Sequence, residues 1–219
     1  MNKMTLVVPA ILTDDPIALE TMVRQAETFI DYVQFDFMDG QFVPSRSVTG
    51  EQVAALPMNL SWEAHLMVLR PENYLPGFGK AGTRKVIFHY EATTKARAII
   101  SAARKLGLEV GLAINPDTAV ATIRSLIPKV DSVLLLSVHP GFYGAKFIPE
   151  VLDKVTELHS LYPDLEVGLD GGVKESNIAQ IARTGVNVIY VGSAIFLQPQ
   201  PAASYRRLAA MATEGSRSG

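Results

Sequence analysis

Short runs rich in Val, Ile and Leu return along the chain at intervals of roughly 22 to 34 residues, at 6–11, 32–37, 62–67, 85–90, 109–114, 132–137, 166–169 and 188–191. Runs that are apolar on both faces suit strands buried on both sides, as in a parallel sheet. Between them the period changes to that of a helix. Residues 16–30 set Ile17, Leu19, Met22, Val23, Ala26 and Ile30 on one broad face. Residues 94–106 do the same with Ala98, Ile99, Ala102 and Leu106, and stop at Gly107. Small turns precede several strands: Lys80-Ala81-Gly82, Leu106-Gly107 and Thr184-Gly185. Eight alternating units with right-handed crossovers predict an α/β chain closed into a single (β/α)8 TIM barrel, with an open doubly wound sheet as the alternative.

No Pro/Gly/Ser-rich linker divides the 219 residues, so the barrel is expected to be one domain over residues 1–213. Residues 214–219 are small and polar with no apolar face, and a flexible tail is expected there. The apolar start is short, is interrupted by Pro9 and runs into Asp14-Asp15, which suits a buried first strand better than a signal peptide. No stretch approaches the apolar length of a membrane span. A net charge of −2 offers no long-range attraction for nucleic acid or an anionic membrane, so an anionic ligand must be held by local donors. The absence of cysteine excludes disulfides and thiolate metal sites and is compatible with a cytoplasmic protein.

In a barrel, polar residues at the C-terminal ends of the strands point into the active-site mouth. Asp36 and Asp170 each end an apolar run, where a carboxylate is unfavourable unless it is paired, hydrogen-bonded or metal-bound. Two carboxylates satisfied by backbone or an Arg are the plain reading; a proton-transfer pair or metal ligands facing one cavity are the functional one. His65 alone reads equally well as a core histidine, but beside two strand-end aspartates it reads as a ligand or catalytic group. His139 lies in a loop and is the weakest of the set. Three glycine-bearing loops follow strands 6, 7 and 8, with Gly141 and Gly144, Gly171 and Gly172, and Gly192 and Ser193. Glycine permits close backbone approach, and loops after the last two barrel strands commonly hold phosphate. No GxxxxGK[ST] or GxGxxG pattern is present, so nucleotide folds of those kinds have no support.

Several of these segments are recognisable. Asp36-Phe37-Met38-Asp39-Gly40-Gln41-Phe42-Val43-Pro44, His65-Leu66-Met67, Ser137-Val138-His139-Pro140-Gly141-Phe142, Lys146-Phe147-Ile148-Pro149 and Asp170-Gly171-Gly172-Val173 resemble, in order and spacing, the ribulose-phosphate 3-epimerase family. The resemblance runs from Pro9-Ala10-Ile11-Leu12 to Gly192-Ser193-Ala194-Ile195-Phe196. It implies a barrel of the ribulose-phosphate-binding type and interconversion of ribulose 5-phosphate and xylulose 5-phosphate. By the resemblance, Asp36 and Asp170 are the acid/base pair. They also hold, with His65, a divalent metal: zinc, iron, manganese or cobalt. Met38 and Met67 pack beneath a phosphorylated sugar, and Gly141, Phe142, Gly144, Gly171, Gly172, Gly192 and Ser193 surround its phosphate. No nucleic-acid or membrane partner is implied, and a homo-oligomer is compatible with it. Two departures fall in the site. Gln34 stands where the family has His and offers a metal only a neutral amide oxygen, while Ala10 stands where the family has Ser. The rivals are a non-catalytic sugar-phosphate binding barrel and another enediolate reaction on a sugar phosphate. The Asp-x-Lys-x-x-Asp motif of related decarboxylases is absent from Glu63-Ala64-His65-Leu66-Met67-Val68.

Overall fold

The computed structural model describes residues 4–141 and 145–218. Eight strands, β1 (Leu6–Ile11), β2 (Tyr32–Met38), β3 (Ser61–Met67), β4 (Lys85–His89), β5 (Glu109–Ile114), β6 (Ser132–Leu136), β7 (Glu166–Asp170) and β8 (Val188–Val191), form a closed barrel in chain order. Every pairing is parallel, and β1 meets β8 through Leu6↔Val188 to Pro9↔Val191. The open-sheet alternative is thereby excluded. The eight apolar runs read from the sequence become the eight strands because each strand is covered on both faces.

Helices α1 (Pro16–Ala26), α2 (Gly50–Ala55), α3 (Leu75–Ala81), α4 (Ala96–Lys105), α5 (Val120–Ile123), α6 (Leu152–Leu161), α7 (Ile178–Arg183), α8 (Ser193–Phe196) and α9 (Pro201–Arg217) follow the strands. Asp15 caps α1 by accepting the Ile17 N–H at 2.9 Å, and Thr49 with Gln52 forms a capping box on α2. α1 is shorter than its apolar period suggests. Past Ala26 the backbone closes into turns, in which Thr28 N–H donates to Gln25 and Ile30 N–H to Ala26.

Alternation along each strand divides the core in two. Val33, Phe35 and Phe37 of β2, with Trp62, Ala64 and Leu66 of β3, face the helices within one continuous shell. Val8, Ala10, Ile87, Ala113, Leu134, Leu136, Val188 and Tyr190 fill the lumen. The N-terminal end of the lumen is closed by charge: Lys85 Nζ lies 2.8 Å from Glu63 Oε2 and 2.9 Å from Glu166 Oε1, and Tyr32 donates to Glu63 at 2.9 Å. Met38, Val43 and Met67 form a separate apolar group at the opposite mouth.

The tail expected from residue 214 is instead the last turn of α9, which runs to Arg217. Gly215 packs so closely on α7 that an added Cβ would lie 2.5 Å from the Ala179 carbonyl oxygen. The Ser216 hydroxyl donates to Thr5 Oγ1 at 2.8 Å, tying the end of α9 to the start of β1. Small residues here serve close approach, the property that makes them resemble a flexible segment.

Candidate active site

β2 carries three inward positions, Gln34, Asp36 and Met38, and parallel register sets them beside Glu63, His65 and Met67 of β3. β7 ends on Asp170, level with Leu136 and Tyr190. Closure of the barrel therefore brings Asp36, His65 and Asp170 together, with one ligand atom from each lying within 4.8 Å of the others. His65 Nδ1 is 2.9 Å from Asp36 Oδ1 and 3.5 Å from Asp170 Oδ2. Gln34 Nε2 donates to both carboxylates, at 2.9 Å to Asp36 Oδ1 and 2.9 Å to Asp170 Oδ2. Gln34 Oε1 is buried without a hydrogen-bond partner.

The electrostatics follow from this enclosure. Burial raises the Asp36 carboxyl to about 6, with the nearby Asp170 charge pushing the same way and the His65 hydrogen bond opposing. Burial alone would lower His65, but hydrogen bonds and charge from Asp170 and Asp36 outweigh it and lift the ring to about 9. Behind it, burial pushes His89 down to about 4. Burial would raise Glu91, yet the His89 ring beside it and hydrogen bonds from Thr118 and the Asn115 amide hold it at about 2.

A cavity of about 90 Å³ opens at this mouth, lined by Ala10, Asp36, Met38, His65, Met67, Gly141, Asp170, Gly171, Gly172, Gly192 and Ser193. A larger cleft of about 830 Å³ lies between α2 and α3 and contains none of the paired carboxylates. Gly171 has φ +109°, and an added Cβ would meet Val138 Cγ2 at 2.5 Å, so this loop can only be built with glycine. Of the sequence candidates, only Phe142 and Gly144 lie outside the described residues. His139 is set apart from the carboxylates, mostly exposed and 3.7 Å from Asp117. Ala10, beside Gln34 in register, presents a methyl group where a serine would present a hydroxyl.

His89 and Glu91 stand at and just past the end of β4, and sequence reasoning gives them no role. His65 Nε2 and His89 Nε2 are 3.0 Å apart, and the two rings stack at 5.1 Å. The signal in the sequence is a histidine at an inward strand position next to the His65 strand. That neighbour relation becomes visible only once β3 and β4 pair.

Two carboxylates and an imidazole nitrogen in one buried cluster fit a divalent cation, and three protein ligands leave a position open for substrate. Gln34 does not prevent this, since its amide ends have nearly the same shape and Oε1 is the end left unpaired.

Comparison with known proteins agrees with this geometry. The family model described as "Ribulose-phosphate 3 epimerase family" matches residues 6–196. Ribulose-phosphate 3-epimerase of Schizosaccharomyces pombe is 38% identical over 201 residues, 89% of this chain and 88% of its own length. Those of Synechocystis sp. and Escherichia coli K12 are each 35% identical, over 91% and 90% of this chain and 90% and 91% of their own lengths. Among solved structures, 3-hexulose-6-phosphate synthase from Salmonella typhimurium superposes with a TM-score of 0.72 at 16% identity, over 95% of this chain and 98% of its own. KGPDC from Streptococcus mutans reaches a TM-score of 0.76 at 14% identity, over 95% and 97%. At such identity these two show the barrel alone. The match over nearly the whole barrel, with relatives above a third identical along most of their length, makes this chain a member of the ribulose-phosphate 3-epimerase family, a family of isomerases.

Proposed function

We propose that this chain interconverts ribulose 5-phosphate and xylulose 5-phosphate by moving a proton at C3 between Asp36 and Asp170. The observation that carries this reading is the convergence of two buried carboxylates, from β2 and β7, on one cavity. Inversion at C3 needs one group to remove a proton from one face and another to deliver one to the opposite face, with an enediolate between the steps. Such a pair must begin with one carboxyl ionised and one protonated. Burial and the second negative charge, which raise Asp36, favour that mixed state. After one turnover the two have exchanged roles, which suits a reversible reaction.

Asp36, His65 and Asp170 would hold a divalent cation, zinc, iron, manganese or cobalt, whose chemistry when bound is Lewis-acid polarisation of the substrate oxygens. Met38 and Met67 supply an apolar floor that keeps water from the reacting carbon. The backbone of Gly171, Gly172, Gly192 and Ser193, with Gly141 at the rim, supports a phosphate-binding wall.

The test is wash-out of the C3 hydrogen of ribulose 5-phosphate in deuterated solvent, followed together with xylulose 5-phosphate formation. Both are expected. Binding without exchange would favour the non-catalytic sugar-phosphate barrel, and exchange without the epimer would favour a different enediolate reaction.

A further inference from the structure

His89, at the end of β4, and Glu91, just past it, have no part in the reaction just proposed. His65 Nε2 faces His89 Nε2 at 3.0 Å, so one nitrogen carries a hydrogen and the other a lone pair. His89 turns Nδ1 towards Glu91 Oε2 at 3.5 Å, an ion-pair separation at which no hydrogen bond is completed, and both atoms are buried without another partner. Glu91 is anchored from its other side, where Oε1 accepts the Asn115 backbone N–H at 2.8 Å and the Thr118 hydroxyl. A backbone N–H only donates, so Oε1 stays an acceptor, and the unpaired Oε2 faces His89 Nδ1, where its negative charge favours a hydrogen on that nitrogen. The direction of every hydrogen then follows. His89 holds its hydrogen on Nδ1 and accepts at Nε2 from the His65 Nε2–H. His65 Nδ1 remains, turned towards Asp36 and Asp170.

We infer that Glu91 and His89 are positioning residues, a relay that sets the tautomer of His65 so that its Nδ1 lone pair is presented to a cation shared with Asp36 and Asp170. The inference rests on the epimerase reading for the purpose of that cation; the hydrogen-bond directions stand without it. Outer partners that orient a metal-bound histidine are a general feature of such sites. Here the orienting carboxylate acts through a second ring, so its influence crosses one charge contact and one hydrogen bond before reaching the ligand atom.

Glu91→Gln tests this without a change of volume. The amide oxygen must remain on the Asn115 N–H, so the NH₂ turns to His89 Nδ1 and needs a lone pair there. His89 then carries its hydrogen on Nε2 and donates to His65 Nε2, and His65 is left with an N–H at Nδ1, aimed where a cation would sit. Histidine ¹⁵N spectra of the full-length protein report which ring nitrogen is protonated, and competition with a chelator reports zinc affinity. The expected result is His89 protonated on Nδ1 in the unmodified protein and on Nε2 in Glu91→Gln, with zinc affinity at least about tenfold lower in the variant. Thr118→Val removes the other side-chain contact of Glu91 while sparing its His89 side, and should keep both the Nδ1 proton and the zinc affinity. A Glu91→Gln protein with His89 still protonated on Nδ1, or with undiminished zinc affinity, overturns the relay. Equal zinc loss in Thr118→Val would assign the effect to the loop and overturn it too. Both readouts need no substrate, so failure of C3 exchange in the unmodified protein would remove the proposed reaction and leave this result untouched.

Discussion

The Gln34 amide carries two N–H bonds, and each carboxylate of the site takes one. A neutral double donor relieves the repulsion between two buried anions without adding charge, but it is a poor ligand for a zinc-like ion. Gln34→His should therefore raise zinc affinity by about tenfold or more, read by chelator competition; no gain would show that the amide oxygen already serves. Asp36→Asn and Asp170→Asn should each lower turnover on the order of a thousandfold while phosphate-ligand affinity, followed by calorimetry, stays within about tenfold, because neither amide can take or deliver a proton. Near-normal turnover in either variant would remove that carboxylate from the mechanism. His65 adds a pH dependence. Its folded value, about 9, lies above the ordinary 6.5, so its ion pair with the aspartates stabilises the metal-free protein fully just below pH 6.5, down to about 6, where Asp36 takes up its own proton. That contribution fades as pH rises through 9. A cation competes with the same proton, so zinc affinity between pH 6.5 and 8 should rise about tenfold per unit. Affinity independent of pH would mean that His65 binds no metal. These three residues were legible because a polar side chain inside an apolar run demands an explanation. The bridging role of Gln34 was not legible, because it depends on which end of the amide meets two strands distant in sequence.

At the scale of the element, strands were easier to read than helix ends. A strand covered on both faces must be apolar along its length, and the glycine turns mark where it starts. β4 shows the limit of that reading. Its boundaries follow from Val86, Ile87 and Phe88, but the importance of His89 follows from the strand next to it. α9 shows the opposite error, since Glu214-Gly215-Ser216 lacks an apolar face and yet packs. Gly215→Ala should lower stability by about 1–3 kcal/mol, because a methyl group cannot share space with the Ala179 carbonyl unless α7 and α9 separate. Deletion of residues 214–219 should also lower the melting temperature, since it removes the Ser216–Thr5 bond. Unchanged melting of the deletion protein would restore the expectation of a loose tail.

The whole molecule keeps its two kinds of polar burial at opposite ends of one lumen. Lys85, Glu63, Glu166 and Tyr32 close the N-terminal end, while Asp36, His65 and Asp170 occupy the C-terminal mouth. In a barrel the first end serves stability and the second serves chemistry. Lys85→Met strands Glu63, which is fully buried, and should cost about 3–5 kcal/mol. Turnover of the protein that remains folded should be unaltered. A fall in kcat as large as that of the aspartate variants would show that the ends are coupled. The single-barrel architecture was legible as a count of alternating units; the charged floor was not, since Lys85 and Glu166 stand 81 positions apart.

The Thr5–Ser216 bond and the β1–β8 pairing also make the molecule a ring in all but covalent connection. A ring has no obligatory first residue. A short linker across that junction, with the chain reopened at the exposed turn by Leu106 and Gly107, would leave every strand with the same two neighbours. In such a rearranged gene β5 would be translated first and β4 last, and the two carboxylates would be made in reverse order without moving in space.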